Sequence, residues 1–150
     1  MADKKADDKA DNLAADQVPG KPLPEPTAVS APYWAAVDAG ELRMQYCPAC
    51  TGWTFPPSSR CRQCSARAPR WQSVAGTGEL LTWSVVHQAP YPSYGPDTPY
   101  VVAVARLDEG PQLMANVLGA DETALAIGAR VRVVFEERAP GRRVPQFVLA

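Results

Sequence analysis

Apolar and polar positions along the chain change rhythm three times. After Ser30, a Pro32 in the first turn and the run Tyr33-Trp34-Ala35-Ala36-Val37-Asp38-Ala39 before Gly40 predict a helix of about two turns, with Ser30 as the cap and Gly40 as the stop. Trp34 and Val37 lie three apart and so share one face, as core contacts do. From Leu42 the period drops to two. Leu42, Met44 and Tyr46 alternate with Arg43 and Gln45, which predicts a strand running into Cys47, with a return run around Trp71 to Val74.

Beyond Gly76 five further strands are predicted: Glu79 to His87, Tyr100 to Leu107, Gln112 to Leu118, Arg130 to Glu137 and Pro145 to Leu149. Val101 to Ala105 is apolar on both faces, as a central strand is, whereas Val131, Val133 and Phe135 alternate with Arg130 and Arg132. Asp108-Glu109-Gly110 and Ala139-Pro140-Gly141 read as tight turns, and Asp121 to Ile127 as a short helix or helical turn. Five strands with a helical insert between the third and fourth is the layout of an OB-type barrel, and a small sandwich gives a similar string. The expected fold class is therefore mainly β.

Residues 1–26 carry all four lysines against six acids, with Pro at 19, 22, 24 and 26. So little apolar surface cannot offset the entropy of ordering, and the spaced prolines favour extended geometry, so this segment reads as a solvated tail and a stiff linker. A partner-docking arm is the alternative. The expected division is tail and linker over 1–29, helix over 30–41, a cysteine-bearing ribbon over 42–75 and a barrel over 76–150. With 150 residues, 10 Gly and 16 Pro, the chain suits short strands and loops rather than a helical bundle. No apolar run approaches the roughly 20 residues of a membrane span. The mixed charges of the first residues do not form a secretory signal, which makes the cytoplasm the expected location.

Cys47, Cys50, Cys61 and Cys64 form two Cys-x2-Cys pairs separated by ten residues. Two such knuckles bring four thiolates to the corners of a tetrahedron about 2.3 Å from a zinc ion, and an all-sulfur sphere leaves no open position for water or substrate. The expected metal is structural zinc, and it would supply folding energy that so small a segment cannot draw from burial. Spacing alone does not separate zinc from iron. Disulfides fit the expected compartment poorly, and a redox pair would need a thioredoxin-like strand and helix that are not present here.

Between Leu42 and Gly78 there is no acid, but there are five arginines, Arg43, Arg60, Arg62, Arg67 and Arg70. They either neutralise the thiolate cluster or receive an anionic group such as phosphate. Trp53, Phe55, Trp71 and Trp83 read mainly as packing residues, with base stacking as the other option. The stretch from Gln88 to Pro99, with four prolines and Tyr91 and Tyr94, is too long for a hairpin and stiff enough to present a binding surface. No catalytic residues are assigned. His87 is the one histidine and lacks a nucleophile motif beside it, and Gly76-Thr77-Gly78 lacks the helix and lysine of a phosphate loop.

Several motifs together carry a family likeness: Tyr33-Trp34, Gly40-Glu41-Leu42, Cys47-Pro48-Ala49-Cys50, Phe55-Pro56-Pro57, Cys61-Arg62-Gln63-Cys64, Gly76-Thr77-Gly78, Pro99-Tyr100-Val101-Val102-Ala103, Leu107-Asp108-Glu109-Gly110 and Ile127-Gly128. From Ser30 to Ala150 the chain resembles the domain-of-unknown-function-35 family, in which short N-terminal helices and a rubredoxin-like zinc ribbon precede an OB-fold. Two positions depart from its pattern: Thr51, with Gly52 next, where glycine is usual, and Ser58 where arginine is usual. The resemblance implies a non-catalytic accessory subunit that works in a hetero-oligomer beside a thiolase-like enzyme, either a thiolase, a retro-aldolase or an acyltransferase, and helps bind or channel its acyl-CoA. Charge and loop position make Arg60, Arg62, Arg67, Trp83, Tyr91 and Tyr94 the candidate contacts to acyl-CoA or partner, since CoA joins phosphates to an adenine ring. A single-stranded nucleic-acid binder is the competing reading. The +1 balance from Thr27 onward argues against it, because no broad positive groove follows from it.

Overall fold

The computed structural model describes residues 20–67 and 69–150, so the predicted tail from Met1 to Pro19 lies outside the described residues. One helix, α1 (Ala31–Asp38), precedes a three-stranded antiparallel sheet of β1 (Arg43–Cys47), β2 (Gly52–Thr54) and β3 (Arg70–Ser73), with β1 in the middle. The rest is a closed barrel of β4 (Thr77–Val86), β5 (Tyr100–Leu107), β6 (Gln112–Val117), β7 (Arg130–Ala139) and β8 (Arg142–Leu149). Among the described residues no helix is long and apolar enough to cross a membrane.

The helix starts at Ala31, where its Ser30 signal places it, but a turn from Thr27 to Ser30 leads into it. Ser30 makes no side-chain cap bond; instead Thr27 Oγ1 accepts from the Ser30 backbone N–H at 3.2 Å and Ser30 Oγ accepts from the Thr27 N–H at 2.9 Å. These reciprocal bonds satisfy orphan donors as a capping box does. At the other end Gly40 takes φ +81°, and Gly40 N–H and Glu41 N–H bond back to Val37 and Ala36 carbonyls, a Schellman stop.

Barrel order is β4-β5-β6-β8-β7, with β7 returning to β4 through Thr77↔Arg132, Gly78↔Val131 and Glu79↔Arg130. All pairings are antiparallel except β6 with β8, which meet in parallel at Val117↔Phe147. That is the five-stranded OB topology, and closure removes the open edges a sandwich would leave. A register shift between Leu80 and Thr82 bends β4 around the barrel. Side chains of Leu80, Val101, Ala103, Ala105, Leu107, Leu113, Val131 and Phe147 fill the interior, and Tyr33, Val37, Leu42 and Met44 extend the same buried cluster under α1 and β1. Helix, ribbon and barrel therefore share one core.

Of the short helix or helical turn expected over Asp121 to Ile127, the structure has the turn, a 3-10 turn at Glu122–Ala124: the Asp121 carboxylate accepts from Thr123 N–H, and Leu125 already returns to extended backbone. Two expectations change. β8 begins at Arg142 rather than Pro145, because the Asp38 carboxylate accepts the Arg143 N–H at 2.8 Å and pairs with Arg142 Nε at 3.2 Å. Residues 21–26, read as linker, lie against the barrel.

Candidate functional site

The knuckles are built by turns at the ends of short strands. β1 delivers Cys47, and Gln45↔Thr54 and Cys47↔Gly52 pairing folds β2 back so that Cys50 sits at the tip. Arg60 and Arg67 pair across the second knuckle, which carries Cys61 and Cys64, and Cys61 N–H bonds the Ala66 carbonyl at 2.9 Å. The residue after each second cysteine is left-handed, Thr51 at φ 58° and Ser65 at φ 61°. A glycine at that position carries no Cβ penalty, which is the physical content of the departure at Thr51.

All four sulfurs lie within 4.8 Å of one another, with Cys47 to Cys64 at 3.6 Å and Cys50 to Cys61 at 3.5 Å. A tetrahedron with bonds of 2.3 Å has edges of about 3.8 Å, so the donor set fits a thiophilic cation. Backbone N–H groups of Cys64 and Gln63 hold the Cys61 thiol down to about 6. Cys50 also accepts from Gly52 N–H, which lowers it, yet burial and the neighbouring sulfurs push it up to about 12. So close a set of sulfurs cannot all ionise until a cation compensates them. Thr54 Oγ1 points to Cys61 Sγ at 3.9 Å from the buried side.

The ribbon arginines are dispersed. Arg43 pairs with Glu41 at 2.8 Å, and Arg60 Nη1 donates to the Ser65 carbonyl at 3.1 Å. Arg62, Arg67 and Arg70 are exposed. Ser58, in the position of the family's arginine, instead donates its N–H to the buried Gln45 side chain at 2.8 Å.

An apolar groove of about 480 Å³ opens where all parts of the fold meet. Pro22 and Pro24 form one wall, Tyr33 and Trp34 of α1 and Phe55 of the ribbon a second, and Pro90, Tyr91 and Tyr94 a third. Its floor is the outer face of β5, β6 and β8; Met114 on that floor and Tyr91 on the third wall are 67% and 56% exposed. At its polar end Arg138 is nearly buried, held by Glu136 at 2.9 Å and donating to Tyr94 OH at 3.1 Å, with Gln146 Nε2 bound to the same Glu136 at 2.8 Å. A concave, mostly apolar surface with several aromatic rings and few convergent polar groups is what an extended amphipathic ligand or segment requires.

Of the sequence candidates, Tyr91 and Tyr94 line this groove. Trp83 packs beside the barrel core, and Arg60, Arg62 and Arg67 stand on the knuckles, outside the groove lining. Phe55, which the sequence marks mainly as a packing residue, lines the groove as well, and Tyr33, Met114, Pro145 and Arg138 were not among the sequence candidates. The one signal that could have found Met114 is its place as an apolar residue on the polar side of the alternation from Gln112 to Val117.

Comparison with known proteins bears on both units. Residues 34–70 match the ChsH2 rubredoxin-like zinc ribbon domain, and residues 71–136 match the ChsH2 C-terminal OB-fold domain. A probable enoyl-CoA hydratase alpha subunit of Thermomonospora curvata is 32% identical over 129 residues, which is 85% of this chain and 39% of that protein. A DUF35 domain-containing scaffold protein of Methanocaldococcus jannaschii is 30% identical over 90 residues, 59% of this chain and 63% of that one. The chain thus spans from about two fifths to under two thirds of these relatives. Among solved structures, a chain of an Ltp2-ChsH2(DUF35) aldolase superimposes with a TM-score of 0.75 at 30% identity, covering 84% of this chain and 98% of that chain. Ribbon, barrel and the order in which they follow one another all agree, and the chain belongs to the DUF35 family, in the ChsH2 branch that joins a rubredoxin-like zinc ribbon to an OB-fold.

Proposed function

We propose that this chain is a non-catalytic accessory subunit that docks on a thiolase-like enzyme and helps hold that enzyme's acyl-CoA. The observation that carries the reading is the match, over 98% of its length, to a chain of an Ltp2-ChsH2(DUF35) aldolase. The aromatic groove adds a surface suited to the apolar acyl part of such a substrate. Tyr94 OH and the Arg138–Glu136 pair offer a nearly neutral polar end, suited to a thioester or amide carbonyl rather than to a free carboxylate. The exposed arginines of the knuckles suit CoA phosphates.

Cys47, Cys50, Cys61 and Cys64 would hold zinc, whose contribution is structural: it neutralises the thiolates and ties the two knuckles to β1. The domain division follows: ribbon over 42–75 and barrel over 76–150, with the helix over 30–41 joining them.

The test is affinity capture of the tagged full chain from its native lysate, with mass spectrometry and an absorbance ratio for nucleic acid. A stoichiometric thiolase-like protein, and a change in that enzyme's activity when the chain is added back, is expected. Salt-sensitive micromolar binding to single-stranded DNA or RNA, without such a partner, would overturn the proposal.

A further inference from the structure

Residues 21–26 form a strap along one wall of the groove, and its two ends are held very differently. At Pro24 the backbone carbonyl accepts from Arg142 Nη2 at 2.9 Å. That guanidinium is itself fixed by Asp38 of α1, whose other oxygen takes the Arg143 N–H, so one bond ties this end of the strap to a guanidinium that α1 holds in place. At the other end Lys21 pairs with Asp97 of the Gln88–Pro99 loop and lies 5.4 Å from the centre of the Tyr94 ring. Both charged groups reach solvent, with side chains 25% and 41% exposed.

Apart from Lys21, the loop is anchored chiefly at Tyr94, whose ring lies 5.5 Å from the Arg138 guanidinium and 6.0 Å from the Tyr100 ring. None of the residues in its 3-10 turn, Pro92–Asp97, is buried. Its internal backbone bonds include Tyr94 N–H to Tyr91 and Thr98 N–H to Gly95, and among the described residues its long-range side-chain hydrogen bond is Arg138 to Tyr94. Tyr91 and Tyr94 on the loop and Pro22 and Pro24 on the strap face each other as walls of the groove.

We propose that the strap is a latch: Lys21 clasps Asp97 and Tyr94 to hold strap and loop together as walls of the groove, and release at that end, with Pro24 as the fixed point, widens it. The prolines make the strap stiff, so it swings as a unit rather than fraying. An exposed ion pair and one surface cation–π contact are weak, so the open form is a minor but frequently visited state, and salt raises its population. The role of the latch rests on the groove being the acyl-binding face; its mechanics do not.

Hydrogen–deuterium exchange of the full chain separates the two. In the wild type, raising NaCl from about 50 to about 500 mM accelerates exchange over residues 88–99 about three- to tenfold, while ribbon peptides stay unchanged. Lys21→Met, which keeps the apolar stem, and Asp97→Asn each give that faster exchange at low salt and lose the salt response, and the double variant goes no further. Equal loop exchange in wild type and Lys21→Met, or effects of the two substitutions that multiply, would overturn the latch. With octanoyl-CoA as the probe, the association rate rises about threefold or more in Lys21→Met; an unchanged rate with intact binding overturns the gating role. Failure of octanoyl-CoA to bind either protein overturns the acyl-binding reading instead, and the exchange data still decide the latch.

Discussion

Gly78 offers the sharpest test of how the barrel closes. It sits in β4 between two paired strands, opposite Leu107 on one side and Val131 on the other. A Cβ placed there would lie 2.3 Å from the Arg106 carbonyl oxygen, 2.9 Å from its carbon and 3.0 Å from Leu107 Cα. A carbon and a carbonyl oxygen ordinarily touch at about 3.3 Å, so about 1 Å must be found, and every obstructing atom is backbone that no rotamer change can move. Separating the strands here strains the adjacent Asp108 N–H to Thr77 carbonyl bond of 2.9 Å. Overpacking costs about 1–3 kcal/mol, and a lost backbone bond about 1 kcal/mol more. Gly78→Ala should therefore lower stability by about 2–4 kcal/mol, which is on the order of 7–15 °C in Tm for a domain of this size. Denaturant unfolding followed by circular dichroism reads it, with Gly95→Ala as the control, since nothing lies within 4 Å of a Cβ there. If Gly78→Ala unfolds within about 0.5 kcal/mol of wild type, the steric argument for the β4–β5 junction is wrong.

Other consequences can be measured in the same way. Thr51→Gly relieves a β-branched residue at φ 58°, worth about 1–2 kcal/mol, against about 0.5–1 kcal/mol of added chain entropy, so a small net gain in stability is expected; a loss would show that the Thr51 hydroxyl bond to the Cys50 carbonyl matters more. Asp108 is held down to about 2 by the Arg130 guanidinium and the Thr77 hydroxyl. Its folded value lies below the unfolded one, so its contribution is complete above about pH 4 and is lost as pH falls from 4 towards 2; Asp108→Asn should flatten that limb of an acid-unfolding curve. Titration with a mercurial should release one zinc per four thiols, and Cys61→Ser should abolish tight binding; a chain that keeps its ribbon fold after metal removal, by near-ultraviolet circular dichroism, would contradict a structural metal.

The cysteine cluster was legible because its geometry is local: two pairs at fixed spacing lie on the chain as they lie in space. The barrel strands were legible because one-sided burial imposes period two on Val131, Val133 and Phe135 and on Leu113, Ala115 and Val117. β2 was not, since Gly-Trp-Thr is three residues long and owes its pairing to β1. The early start of β8 was hidden because Arg142 and Arg143 read as turn charges until Asp38, about a hundred residues away, is seen to hold them. The groove was illegible for the same reason on a larger scale. Pro24, Trp34, Phe55, Tyr91, Met114 and Pro145 each have an ordinary local reading, and only closure of the barrel against α1 and the ribbon makes them neighbours.

The turn between β5 and β6 reaches across to the ribbon. Glu109 accepts the Ala75 N–H at 2.7 Å, and Asp108 grips Thr77 and Arg130 from the same turn. The covalent seam between ribbon and barrel thus runs through residues 74–77, while its fastening comes from some thirty residues later. For anyone building chimeras, a cut at Gly76 separates the sequence but not the mechanical unit. A ribbon transplanted onto another barrel keeps its orientation only where the recipient hairpin brings a carboxylate to the place of Glu109.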